Sequence, residues 1–331
     1  MSELHKFLFE GLPVRGMLVR LTGSWQEVLQ RREKAGSAFA IPVRQLLGEM
    51  AAAGVLMQSN IKFNGALVLQ MHGDGPVKLA VCEVQPDLAF RVTATVVGDV
   101  PLEVEGEGQL EALLNVNGKG RCAITLDPKD KFPGQVPYQG VVSLHGDARE
   151  PLQKLSEVLE HYMLQSEQLD TQLILAANDS VAAGLLIQRL PVQGEANLAG
   201  AFTSSANEDE IGRNEDYKRI AMLAATLTAE ELLSLDADTV LRRLFWEETL
   251  RRFPPLTGDL APHFACTCSR ERVGSMLKSL GRAEVDDVIR EQGRVEIGCE
   301  FCGIKYQFDP VDVGGLFAPP QDQAPGSVAI N

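Results

Sequence analysis

Cys266-Thr267-Cys268-Ser269-Arg270-Glu271-Arg272-Val273 and Cys299-Glu300-Phe301-Cys302-Gly303, with thirty residues between Cys268 and Cys299, bracket a compact stretch near the end of a 331-residue chain. Ser269 is placed to cap a helix in which Val273, Met276, Leu277 and Leu280 recur on one face, with Gly281 as its stop signal. A second helix is expected over Ala283 to Glu291, ending near Gly293. Arg294 to Gly298 then alternates as a strand, and Ile304, Tyr306 and Phe308 alternate away from the second cysteine pair. The pattern predicts two helices and a β-hairpin with two thiols at its tip.

A unit of about 60 residues buries little apolar surface, and a structural metal commonly supplies the missing stability. Cys266, Cys268, Cys299 and Cys302 offer four thiolates, the donor set that satisfies tetrahedral zinc and leaves no open position. Gly303 suits a knuckle, because glycine tolerates the positive φ that wraps backbone toward the sulfurs. Arg270 and Arg272 would offset the excess negative charge. Unligated thiols, or a Cys-X-X-Cys oxidoreductase, are the competing readings. A thioredoxin-like motif should open a helix after a strand, whereas Cys299 to Gly303 reads as a hairpin tip. His263 is the one nearby histidine and could replace a thiol, although four cysteines leave it a packing or solvated role. Each tightly spaced pair could close into a disulfide on oxidation and expel the metal, so loss of zinc and unfolding would be one event. A disulfide across one residue is strained and readily reduced, which suits a reversible switch.

Composition narrows the function classes. With 31 Lys+Arg against 45 Asp+Glu, the net charge of -14 opposes a nucleic-acid-binding zinc module, the runner-up on motif alone. Met1 to Glu10 lacks the features of a signal peptide, and the longest apolar runs fall short of the ~20 residues of a membrane span. A cytosolic chain without membrane or nucleic-acid partners is expected, and there clustered cysteines mean metal or redox work. No Ser/His/Asp, paired-carboxylate or nucleotide-binding pattern supports an enzyme. Gly73-Asp74-Gly75 lacks the Gly-Lys-Ser/Thr of a phosphate loop and reads as a hairpin turn. Cys82 and Cys122 fall singly within strand patterns, as small buried hydrophobes do.

Upstream, the pattern is that of an α+β core over residues 1–191. Helices are expected at Trp25 to Glu33, Val43 to Met57 and Leu152 to Leu164. Strands are expected at Ala66 to Met71, Val77 to Glu83, Phe90 to Val97, Arg121 to Leu126, Tyr138 to Leu144, Thr171 to Ala176 and Ala183 to Leu190. Residues 192–255 read as an acidic and helical linker. Its acidic part is Thr203 to Asp216; its helices carry the stripe Tyr217, Ile220, Leu223, Ala224, Leu227, a capping box at Thr228 to Glu231, and a cap at Asp236. Such short helices must dock to be stable, either permanently or as a releasable element. Residues 256–317 form the zinc-binding unit and 318–331 a Pro-rich, disordered tail.

The cysteine segments, with Tyr306-Gln307-Phe308, resemble the signature of the redox-regulated bacterial heat-shock holdases, the thirty-three-kilodalton chaperonin family. Val14-Arg15-Gly16, Gly73-Asp74-Gly75-Pro76, Tyr138-Gln139-Gly140-Val141-Val142, Ser166-Glu167-Gln168-Leu169 and Glu230-Glu231-Leu232-Leu233 are similar to the family at matching places. The resemblance implies an α+β core, a metastable helical linker and a C-terminal domain with all four cysteines on one zinc ion. It further implies that oxidation pairs Cys266 with Cys268 and Cys299 with Cys302, releases zinc and unfolds the linker. An inactive monomer would thereby become an active homodimer that binds unfolding client proteins without ATP during oxidative stress.

Overall fold

The computed structural model describes residues 2–101, 109–130, 132, 134–190 and 205–318. The chain divides into two compact units, Met1–Gln30 with Ala38–Ala265, and Arg31–Ser37 with Cys266–Asn331. Sheets and helices mix in an α+β arrangement, as expected.

The first unit opens with β1 (Glu3–Phe9), β2 (Val14–Leu21), α1 (Gly23–Lys34) and α2 (Ile41–Asn60). β3 (Gly65–His72), β4 (Val77–Val84), β5 (Ala89–Val96), α3 (Gln109–Leu114), β6 (Arg121–Pro128) and β7 (Tyr138–Ser143) follow. α4 (Leu155–Glu167), β8 (Thr171–Ala177) and β9 (Ala182–Arg189) come next. Three helices, α5 (Ser205–Ala225), α6 (Ala229–Ser234) and α7 (Ala237–Phe245), precede the short strands β10 (Leu250–Arg252) and β11 (His263–Phe264).

One sheet has the order β10-β1-β2-β9-β8 and the other β11-β5-β4-β3-β6-β7. Pairing is antiparallel except between β11 and β5. The apolar helix α2 packs against β2, β8 and β9 of the first sheet and β3, β4 and β5 of the second. Gly54 makes that approach possible, since a Cβ there would lie 2.9 Å from a Val84 methyl and 3.0 Å from the Cys82 sulfur. Cys82 on β4 and Cys122 on β6 are wholly buried. Gly73 to Pro76 turns β3 into its antiparallel partner β4, with the Asp74 carboxylate accepting from the backbone N–H groups of Asn117 and Lys119.

The strands β1 and β2 add to those expected from pattern. β2 is a central strand with nearly every residue buried, so it lacks the polar alternation that marks a half-exposed strand.

The apolar stripes of α5 to α7 dock on the first sheet. Tyr217, Ile220, Ala224, Leu227, Leu232, Val240, Leu241, Leu244 and Phe245 share one buried cluster with Phe7, Phe9, Leu18 and Ile187. Phe9 and Phe245 meet edge to face at 5.0 Å. Thr228 and Glu231 form the capping box that starts α6, and the Asp236 carboxylate caps α7 through the Thr239 N–H at 2.9 Å. The buried guanidinium of Arg20 donates to the carbonyl oxygens of Leu232 and Leu233 at the last turn of α6, where unpaired carbonyls favour a cation. Residues 192–204, where the linker and its acidic stretch begin, lie outside the described residues, as does the tail from Pro319 onward.

The second unit contains α8 (Arg270–Leu280), α9 (Arg282–Gln292), β12 (Val295–Gly298), β13 (Lys305–Phe308) and α10 (Pro310–Leu316). Its buried core is small: Leu277, Val285, Val295, Phe308 and Val313.

Candidate metal centre

Both cysteine pairs sit where local backbone rules put them. Cys266 and Cys268 lie in the extended segment before α8, whose cap is the Ser269 hydroxyl accepting from the Arg272 N–H at 3.2 Å. Cys299 and Cys302 occupy the turn between β12 and β13, which pair antiparallel with Ile297 opposite Tyr306. Within that turn the Cys299 N–H donates to the Ile304 carbonyl and the Gly303 N–H to the Cys299 carbonyl, each at 2.8 Å. Gly303 has φ +73°, the left-handed value expected of a knuckle glycine.

Folding brings the four cysteines together: their sulfurs all lie within 4.8 Å of one another. The shortest separations run between knuckles, 3.6 Å from Cys266 to Cys299 and 3.4 Å from Cys268 to Cys302. A zinc ion with Zn–S bonds of about 2.3 Å needs sulfurs about 3.8 Å apart, so the donor set and its spacing fit a tetrahedral thiolate site. Among the described residues these four are the group able to hold a metal ion. Cys302 is buried and the other three are partly exposed. Desolvation pushes the Cys302 thiol up, and hydrogen bonds with the neighbouring cysteines push the same way. Thiols crowded in this manner ionise together only around a cation.

The surroundings hold contacts beyond those expected. The guanidinium of Arg270, read from sequence as a charge beside the thiolates, donates to the Gln307 carbonyl and to Asp312, each at 2.7 Å, and stacks on the Phe308 ring. It braces α8 against β13 and α10. Arg272 donates to the Thr267 carbonyl at 2.9 Å, fixing the backbone between the first two cysteines. Tyr306, read from sequence as an alternating strand residue and part of the family signature, donates its hydroxyl to the Cys268 sulfur at 3.1 Å. His263 places Nδ1 3.1 Å from the Ala261 carbonyl oxygen and is not among the clustered donors.

Cys82 and Cys122 stand apart from this chemistry. Burial raises both thiols, that of Cys122 to about 12, so neither offers a thiolate near neutral pH.

Comparison with known proteins agrees with this architecture. Residues 2–309 match the family described as Hsp33 protein. The chain is 46% identical over 317 residues to a 33 kDa chaperonin of Chromobacterium violaceum, covering 96% of this chain and 94% of that one. It is 41% identical over 312 residues to a 33 kDa chaperonin of Neisseria meningitidis, covering 94% of this chain and 90% of that one. The crystal structure of the 33 kDa chaperonin of Thermotoga maritima superposes with a TM-score of 0.70 at 18% identity, covering 96% and 98% of the two chains. A sequence match of this extent, with the shared fold and a four-cysteine cluster in the last unit, makes the chain a member of the Hsp33 family of 33 kDa chaperonins.

Proposed function

We propose that the chain is a redox-regulated, ATP-independent holdase whose switch is a zinc site built by Cys266, Cys268, Cys299 and Cys302. Membership of a chaperonin family places it among chaperones rather than enzymes. The observation that carries the regulatory reading is four sulfurs within 4.8 Å, on two tight knuckles, in a unit with few buried apolar side chains. Zinc, when bound, neutralises the thiolates and ties the two knuckles into one fold.

Oxidation supplies the trigger. One thiolate attacks a peroxide oxygen, the O–O bond breaks, and the departing oxygen takes protons to leave as water. The resulting sulfenic acid is attacked by the second thiolate, and its hydroxyl leaves as a second water as the disulfide forms. A pair thus gives two electrons to the peroxide, and its sulfurs no longer ligate a metal. Family resemblance and close spacing along the sequence support Cys266–Cys268 and Cys299–Cys302 as the final pairs, although in the reduced fold the nearest sulfurs lie on opposite knuckles.

The metal centre follows α5 to α7 along the chain. Release of those helices would uncover Tyr217, Ile220, Leu232, Val240, Leu241, Leu244 and Phe245, an apolar surface suited to unfolding clients. Reduced zinc protein is the inactive monomer in this scheme and the oxidised form an active homodimer, working in the cytoplasm during oxidative stress. No helix among the described residues is long and apolar enough to cross a membrane. An oxidoreductase role is disfavoured, because the Cys299–Cys302 motif lies in a hairpin turn and burial raises the Cys302 thiol.

Light scattering from a thermally unfolding client tests the proposal. The peroxide-treated protein should suppress aggregation and the reduced, zinc-loaded protein should not; equal behaviour of the two forms would contradict it.

A further inference from the structure

The hydroxyl of Tyr306 marks Cys268 out from the other sulfurs. Tyr306 lies on β13, opposite Ile297 on β12, yet its hydroxyl reaches across to the other knuckle and donates to Cys268 Sγ at 3.1 Å. The ring packs against the small core of the unit, so the hairpin holds the hydroxyl in place. Cys266, two residues before Cys268, has a sulfur as its side-chain partner among the described residues, that of Cys299 at 3.6 Å.

A thiolate that accepts a hydrogen bond has part of its electron density engaged and is a weaker nucleophile. We infer that Tyr306 is a positioning residue that acts through Cys268 as a brake on oxidation, slowing attack of this sulfur on a peroxide and so delaying metal release. The inference rests on the zinc reading of the four cysteines. The reaction it retards is the peroxide step above, with Cys268 as attacking sulfur, the O–O bond as the one broken, and water as the leaving product. The hydroxyl is neither consumed nor oxidised; its donated hydrogen bond is lost as the sulfur's charge passes to oxygen.

Tyr306→Phe keeps the packed ring and removes only the donor. Zinc release from the full-length protein under peroxide would be followed with a metallochromic chelator, beside the rates at which Cys266 and Cys268 are alkylated, read by mass spectrometry. The variant is expected to bind one zinc and melt as the parent does, but to release zinc about three- to tenfold faster, the scale of one lost hydrogen bond of ordinary net strength. Cys268 should be alkylated more slowly than Cys266 in the parent, and the gap should close in the variant. Full zinc in both proteins with equal release rates would overturn the inference and leave the zinc site standing. A parent protein without stoichiometric zinc would overturn both. If the variant fails to hold zinc, the parent decides: slower alkylation of Cys268 than of Cys266 supports the brake, and equal or faster alkylation overturns it.

Discussion

The two units treat their cysteines in opposite ways. In the first, Cys82 and Cys122 lie wholly buried on neighbouring parts of a six-stranded sheet, and burial keeps their protons on. In the second, four cysteines converge beside a core of five buried apolar side chains. Where α2 fills the space between two sheets, burial suffices and a thiol is only a small apolar group. Where the core is small, the proposed zinc site gives sulfur the role of holding the fold, and a fold so held would be opened by an oxidant.

The contrast breaks most sharply at the metal. Cys299→Ser is expected to abolish tight zinc binding and unfold the second unit, a loss of order 10 kcal/mol of metal-linked stability. Metal analysis and protease mapping would show it as zinc-free protein cleaved throughout residues 266–317. Full zinc retention with a protected unit would contradict it.

A smaller effect separates the first unit by pH. Burial raises the carboxyl of Glu49 on α2 to about 8 and that of Glu160 on α4 to about 7. Folded protein therefore keeps protons that the unfolded chain gives up above about pH 4.5, so stability falls as pH rises from there to about 8 and levels off beyond. Denaturant midpoints of the zinc-loaded protein should follow that slope. Glu49→Gln should remove about half of it, worth about 3 kcal/mol at neutral pH, and leave the share of Glu160; an unchanged slope would refute the assignment.

Arg20→Ala tests whether α6 is a latched element. Loss of two charge-assisted bonds to the Leu232 and Leu233 carbonyls should cost about 2 kcal/mol and raise apolar-dye binding by the reduced, zinc-loaded protein. Unaltered dye binding would mean that the buried stripes alone hold the helices. The smallest change is expected from Cys122→Ala, about 1 kcal/mol with no change in zinc content or peroxide response. A slowed response would place Cys122 within the switch.

Much of this was legible where the chain carries a local signal. Strands β3 to β9 alternate or end at turn residues, and the caps at Thr228, Asp236 and Ser269 formed as their sequences direct. The four clustered cysteines were found from spacing, and the hairpin tip from Gly303. What escaped depends on distant partners. The nearly all-buried β2 shows no period, and β10 and β11 are three and two residues long, defined only by pairing with β1 and β5. The tie from Tyr306 to Cys268 spans 38 residues, and Arg270 is drawn to Asp312 from 42 residues away. A missed signal did exist for α10: Asp309 and Asp312 form a capping box with Pro310 in the first turn.

Hydrogen exchange of the full-length protein, before and after peroxide-driven zinc release, addresses the contrast most directly. Exchange should rise throughout residues 266–317 and spread into 217–245, while strands β2, β3, β4 and β9 stay protected. Zinc release with an unchanged exchange pattern, or with strands β2, β3, β4 and β9 losing protection together with residues 266–317, would contradict a metal-held switch joined to a burial-held core.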